Sequence, residues 1–297
     1  MGVRGPIVKS LSPIPMSNSA VDPNLSTYNS QAVADYYAGL NYLTPCERLV
    51  FDEYLRPGVA ILDLGVGGGR TTPYLASNAS RYVGIDYAPE MIAACRTKFP
   101  DLEFHVCSAA DLSAFASSSF NVVLMAFNGI DYVIPDETRL QALREIHRVL
   151  TPDGLLIFSS HNPRAILVRP SWNCERVQEV ARSIVKTDSV LFRPVLRFLI
   201  AGRVMLAGAQ AILKSLKRSA RRIPTRAFWR GHGYLFDPAH GGLTTHVAVP
   251  REVIQETNRF GFTLLRISGD DYPCTSHAWV TDWYYYVFSR SATCGVK

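Results

Sequence analysis

The feature that most constrains this chain is a change of texture at residue 64. Val59-Ala-Ile-Leu-Asp-Leu64 is a short apolar run, and it feeds directly into Gly65-Val-Gly67-Gly68-Gly69. A run with so little polar alternation is buried on both faces, as strands of parallel sheets are. Parallel neighbours need long crossovers, usually helices. The downstream residues supply them. The pattern predicts helix 71–79, strand 82–86, helix 89–98, strand 102–106 and strand 120–126. Helix 136–150 comes next, with Leu140, Leu143, Ile146, Val149 and Leu150 on one stripe, then a turn at Thr151-Pro-Asp-Gly154 and strand 155–159. Strands alternating with helices imply a parallel sheet covered on both faces.

Residues 31–56 read as a helical preface, with Ala34, Tyr37 and Leu40 and then Leu49, Val50 and Tyr54 at helical spacing. Pro45 suits the first turn of the second helix. The strand and helix rhythm stops at Asn162 and resumes near Pro250 with helix 250–260, strand 262–267 and the aromatic strand 283–289.

Composition narrows the class. In 297 residues, 47% hydrophobic content excludes overall disorder and allows one large or two modest domains. Cys46, Cys95, Cys107, Cys174, Cys274 and Cys294 are scattered without metal-ligand spacing, so they read as reduced thiols filling the core. No metal site is expected. Pro6, Pro13 and Pro15 break the apolar runs at the start, so no signal-peptide core can be drawn and a cytoplasmic location is expected. The best apolar stretch for a membrane span is interrupted by Arg193, Arg197, Arg203 and Lys214.

Charge is unevenly placed. The whole chain carries +6, but residues 163–230 hold 15 basic and three acidic residues, leaving −6 for the rest. Within this segment, 190–223 reads as a helix pair or one broken helix. Three roles compete for it: a lid packed on the core, a membrane-surface helix drawn to anionic lipid, and an arginine-lined pocket for a phosphate-bearing acceptor. Nucleic acid is not an expected partner, because Trp172, Phe192, Phe198 and Phe228 are too dispersed to stack bases.

The chemistry concentrates in Asp63-Leu-Gly65-Val-Gly67-Gly-Gly69-Arg70. Alternate glycines permit left-handed backbone and close approach of a ligand. The dinucleotide fingerprint G-x-G-x-x-G fails here, since Arg70 occupies its third glycine position. The acidic residue two positions before the first glycine suits a cationic amino-acid group instead. Asp86, 21 positions after Gly65, ends the next strand, where a carboxylate accepts from ribose hydroxyls. Ser108-Ala-Ala-Asp111 places a carboxylate where an adenine amino group can donate to it, and Met125-Ala-Phe-Asn128 ends the fourth strand beside the same crevice.

Through DLGVGGG, VGIDYAPEMI, SAADL, FNVVLMAFNGIDYV and REIHRVLTPDGLLIFSS the sequence resembles the class I S-adenosylmethionine-dependent methyltransferases, over about residues 31–160 and more weakly 250–290. The resemblance implies a doubly wound, Rossmann-like α/β fold whose seven-stranded sheet has its last strand antiparallel, with a basic helical insert. It implies S-adenosylmethionine as cofactor: Asp63, Gly65 and Gly67 at the methionine part, Asp86 at the ribose, Asp111 at the adenine, Tyr87 and Met91 flanking the ring, and Asn128 beside them. Core packing explains Tyr87 and Met91 equally well.

Ligands of open α/β sheets bind beyond the carboxyl ends of the strands. His161, directly after the fifth strand, is therefore the candidate base, although a loop or cap role fits it too. Asp131 and Tyr132 line the same mouth, where a capped turn is the alternative. His232, His240, His246 and His277 read as structural. The expected division is a flexible segment 1–30, a cofactor-binding core 31–162, a basic helical insert 163–249 forming an acceptor-side lid, and 250–297 completing the sheet. The expected activity is methyl transfer to a small-molecule or glycan acceptor at oxygen. The alternatives are an amino-sugar nitrogen and a noncatalytic cofactor-binding partner docking through the insert.

Overall fold

The computed structural model describes residues 23–168, 230–237, 243–273 and 281–291. Three helices, α1 (Pro23–Tyr28), α2 (Gln31–Ala38) and α3 (Pro45–Tyr54), precede the first strand. The body then runs β1 (Val59–Leu64), α4 (Thr72–Asn78), β2 (Ala79–Asp86), α5 (Pro89–Lys98), β3 (Glu103–Val106), β4 (Phe120–Met125), α6 (Asp136–Val149) and β5 (Leu150–His161). After helix α7 (Pro163–Val168) come strands β6 (His232–Asp237) and β7 (Leu243–Ala248), helix α8 (Pro250–Asn258), β8 (Phe262–Gly269) and β9 (Trp283–Arg290).

Seven strands form one sheet in the order β3-β2-β1-β4-β5-β9-β8. The first five are parallel, and β9 runs antiparallel to both of its neighbours. This is the Rossmann-like sheet with its last strand antiparallel that the resemblance implies. Successive side chains on a strand point to opposite faces, so each strand feeds two cores. Leu62, Leu64, Val83, Ile85, Val123, Met125 and Phe158 pack with Leu143, Ile146 and Val149 of α6 and Val253 of α8. Ile61, Tyr82, Val122, Leu124, Ile157 and Tyr285 pack with Val50 and Phe51 of α3, Leu75 of α4 and Ile92 of α5.

Several expectations change. Residues 23–28, read as part of a flexible segment, form α1, whose Asn24 exchanges two hydrogen bonds with the backbone of Thr244, at 2.8 and 2.9 Å. Thr151–Gly154 is no free turn but a bulge inside β5: the pairing jumps from Phe120 with Leu150 to Val122 with Leu155, and Asp153 takes φ 61°. On α3 the buried face is Cys46, Glu47, Val50 and Phe51, so it includes a carboxylate. Residues 232–248, assigned to a helical insert, contribute the antiparallel pair β6 and β7. Residues 169–229, including the cationic stretch 190–223 and Cys174, lie outside the described residues, as do His240, His277, Cys274 and Cys294. Cys46, Cys95 and Cys107 are free thiols.

Gly68 fixes how the preface meets the body. A Cβ built there would stand 2.2 Å from the backbone nitrogen of Ala38, inside van der Waals contact with α2. Only a glycine lets α2 lie against the turn after β1. The Gly68→Ala variant should lose about 1–3 kcal/mol of stability, the usual cost of overpacking, read as a lower thermal unfolding midpoint. An unchanged midpoint would mean that α2 is not held against the turn.

Candidate functional site

The sheet order sets the ends of β3, β2, β1, β4 and β5 side by side along one edge. After β1 the chain turns through Gly65 and Gly67, at φ 64° and 55°, and a Cβ at either would meet nothing within 4 Å. Their backbone therefore faces open space. Asp86 at the end of β2 fixes this turn: its Oδ2 accepts from Gly67 N at 2.9 Å and its Oδ1 from Ala88 N at 2.9 Å. Burial pushes the Asp86 carboxyl up to about 6, against the hydrogen bonds from the backbone.

Asp63 sits behind the turn. Being an odd position of β1, it faces the α3 to α5 side, where its Oδ2 accepts from Thr71 Oγ1 at 3.2 Å and Tyr82 Oη at 2.9 Å. Desolvation raises its pKa to about 7, opposed by these two hydrogen bonds. Met91 is buried with Ala34 and Ala88, against Leu25, Tyr28 and Val33 of α1 and α2, which accounts for it as packing. Tyr87 meets Tyr28 edge to face at 6.3 Å. Asp111 lies in the turn after β3, where its Oδ1 accepts from Ser113 N at 3.2 Å.

Beyond β4 and β5 the structure brings together Asn128, Asp131 and His161. Asp131 is 1% exposed. Its Oδ2 accepts from the backbone N of His161 at 2.6 Å and stands 2.9 Å from His161 Nδ1, while its Oδ1 accepts from Ser160 Oγ at 2.8 Å. Burial alone would raise the Asp131 carboxyl, but hydrogen bonding and charge from His161 and His246 hold it below the ordinary value. The carboxylate calls for a proton on Nδ1, so in the neutral ring Nε2 is the bare nitrogen. Asn128 Nδ2 lies 3.1 Å from Nε2 and satisfies it as a donor.

Two partners escape a reading of the sequence. His246 on β7 places its Nδ1 3.7 Å from Asp131 Oδ1, so the hairpin read as insert contributes a second imidazole to this carboxylate. His246 and Ser160 also line a polar cavity of about 250 Å³, with Asp136, Arg139 and His232. Glu47 of α3 is the other. Its carboxylate takes Arg70 through two contacts, Nη1 at 2.7 Å and Nη2 at 2.5 Å, and accepts from Tyr285 Oη at 2.5 Å. Arg70 in turn lies over the rings of Tyr42 and Phe127, at 5.1 and 4.8 Å. The Thr44-x-x-Glu47 spacing marks a capping box, which the structure shows, but nothing local announces the partner 23 residues away.

Comparison with known proteins places this architecture. Residues 61–154 match the family model described as a methyltransferase domain. A demethylmenaquinone methyltransferase of Chlorobaculum parvum is 37% identical over 95 residues, covering 32% of this chain and 37% of that protein. An uncharacterized methyltransferase-like protein of Schizosaccharomyces pombe is 32% identical over 136 residues, 45% of this chain and 50% of the relative. The chain thus spans half or less of the length of these curated relatives. The CcbJ methyltransferase of Streptomyces caelestis has a similar fold, with a TM-score of 0.56 at 15% identity over 90% of this chain and 98% of that one. An S-adenosylmethionine-dependent methyltransferase of Methanosarcina mazei gives 0.53 at 18% identity, over 85% and 99%.

The two raised carboxyls have a consequence for stability. With folded values of about 7 for Asp63 and about 6 for Asp86, against about 4 in an unfolded chain, the folded state binds more protons across pH 4 to 7. Stability should therefore fall as pH rises through that window. Glu47 and Asp131 are lowered, so their contribution is lost only on further acidification. Thermal unfolding of Asp63→Asn between pH 4 and 8 should show a flatter decline than the parent. Equal slopes would count against a protonated Asp63 in the fold.

Proposed function

The chain carries a methyltransferase domain of the class I S-adenosylmethionine-dependent family, and from that premise we propose that it methylates an oxygen of a small-molecule or glycan acceptor, with His161 as the base. The observation that carries this reading is the orientation of His161. Asp131 holds Nδ1 at 2.9 Å and leaves Nε2 as the proton-accepting nitrogen, on the sheet edge that carries the glycine turn.

The residues present fit the cofactor. Open space beside Gly65 and Gly67 admits a ligand close to the backbone. Each Asp86 oxygen accepts one backbone hydrogen bond and keeps lone-pair capacity for a ribose hydroxyl. Asp111 would serve the adenine side. Asp63, turned into the fold, would act by holding the glycine turn through Thr71. S-adenosylmethionine would supply a methyl group bonded to a sulfonium sulfur, whose loss of that methyl leaves a neutral thioether.

The protein's own tasks are positioning and proton removal. Positioning supplies most of the acceleration in such a displacement. An acceptor hydroxyl replaces Asn128 Nδ2 as the donor at His161 Nε2 and gives up its proton there as its oxygen gains the methyl group. Asp131 stabilises the imidazolium that results. The cationic segment 163–230 would then serve the acceptor, through a phosphate-bearing group or an anionic membrane surface. Among the described residues, no helix is long and apolar enough to cross a membrane.

Incubation with methyl-labelled S-adenosylmethionine and fractionated small-molecule extract, followed by mass analysis, tests the activity; absence of any labelled product would count against it. Asp86→Ala should weaken S-adenosylmethionine binding by about 1.5–3 kcal/mol in calorimetry, the cost of losing a charge-assisted hydrogen-bonding group. Because protonation removes that charge, affinity in the parent should also fall below about pH 6. Unaltered affinity in the variant would remove Asp86 from the cofactor site. His161→Ala should lower kcat by about 10²–10⁴-fold with cofactor affinity within a factor of a few. Near-full kcat in the variant would make His161 a structural residue.

A further inference from the structure

We propose that Tyr28, at the end of α1, recognises the positive charge of the methyl donor, its ring meeting the sulfonium between Asp86 and His161. This deepens the methyl-transfer reading above and rests on it. The first observation is a row of rings that joins the two halves of the sheet edge. Tyr28 meets Tyr87, next to Asp86 in the chain, at 6.3 Å and 71°, and Tyr132, next to Asp131, at 5.9 Å and 85°. Tyr132 in turn meets His161 at 6.0 Å and 86°. Tyr37 of α2 completes the cluster, 6.3 Å from Tyr28. All four tyrosines are only half-buried, so their rings remain reachable from solvent. The second observation is that α1 is fixed at both ends. Asn24, fully buried, exchanges its two hydrogen bonds with Thr244 of β7, while Leu25 packs with Ala88 and Met91 and Asn29 Oδ1 accepts from Glu90 N at 3.2 Å. The helix thus spans from β7 to the start of α5, and Tyr28 is held in place rather than merely resting there.

Charge decides what such a cluster can hold. With the ribose at Asp86 and the acceptor at His161, the sulfur that gives up the methyl group lies between them, and it is positive until the transfer. The face of an aromatic ring is electron-rich and attracts a cation within about 6 Å of its centroid. Among the described residues, an arginine or lysine lies over the rings of Tyr42, Phe99, Phe120, Phe127 and Phe260, but none lies over Tyr28. The carboxylates of this edge are already engaged. Asp63 accepts from Thr71 and Tyr82, Asp86 from Gly67 and Ala88, and Asp131 from Ser160 and His161. What the edge offers a cation besides them is aromatic surface, and Tyr28 stands at its centre. Burial pushes the Tyr28 phenol well up, and Tyr132, Tyr37, Tyr87 and Asp86 add to the effect, so the ring stays neutral. A neutral ring attracts the sulfonium but has no such hold on the thioether left behind. Tyr28 therefore favours the loaded donor over the spent one.

Calorimetry on the full chain tests this with two probes, S-adenosylmethionine and S-adenosylhomocysteine, which differ by the methyl group and the charge it confers. Tyr28→Phe keeps the ring, so the ratio of the two affinities should stay within about twofold of the parent's. Tyr28→Leu removes the ring and should shift that ratio about 3–30-fold against S-adenosylmethionine, the range of one cation–π contact. Pentafluorophenylalanine placed at position 28 keeps the shape of the ring while withdrawing electron density from its face. It should shift the ratio in the same direction, and it keeps the test open if the leucine variant does not fold. A ratio left unchanged by both ring-altering variants, or shifted as far by Tyr28→Phe, would overturn the proposal. Equal weakening of the two probes would do so too, since it would make Tyr28 a packing residue only. Failure of the parent to bind either probe would instead strike the methyl-transfer reading itself.

Discussion

The mouth of the sheet is held by the buried pair of Arg70 and Glu47. Removing one member of such a pair strands the other charge in a poorly solvated place, at a typical cost of about 3–5 kcal/mol. Here the cost would spread beyond the pair. Arg70 follows the glycine turn, Glu47 starts α3, Tyr285 of β9 donates to the same carboxylate, and Phe127 after β4 lies under the guanidinium. Four separate parts of the chain thus meet at one ion pair. The turn after β1, on which the open space at Gly65 and Gly67 depends, is anchored at one end by Arg70 and at its centre by Asp86.

Asp131 plays the corresponding part on the other half of the edge. It is buried, yet hydrogen-bond donors and imidazoles surround it closely enough to keep it ionised. Its two oxygens divide the work: Oδ2 orients His161, and Oδ1 faces Ser160 and, at longer range, His246. The hairpin β6 and β7 is therefore more than a covering element, since it delivers a histidine to the carboxylate that sets the tautomer of another.

The sheet was legible because its signal is local. Continuous apolar runs such as 59–64 and 120–125, with glycine or helix beyond them, locate strands from a handful of neighbours. Asp86, Asn128, Asp131 and His161 were legible for the same reason, each standing at or just beyond a strand end. What escaped depends on long-range pairing. Glu47 looks like a cap until Arg70 and Tyr285 are folded onto it. Asp63 follows a ligand-binding pattern, yet the pleat of β1 turns it toward Thr71 and Tyr82. His246 sits in a strand whose partner, β6, is also short and polar enough to pass for loop, and no periodicity within six residues links it to Asp131.

The antiparallel strand β9 has a consequence for the order of assembly. It lies between β5 and β8, and its register sets Trp283 directly across from His161. Both flanking strands precede it in the chain. As the polypeptide is synthesised, β1 to β5 and their helices emerge with their parallel pairings complete, yet one edge of β5 stays unfilled. Only a strand made more than a hundred residues later can occupy that slot. The cradle of glycines can therefore form early, whereas the side of His161 that faces Trp283 stays open until that late insertion.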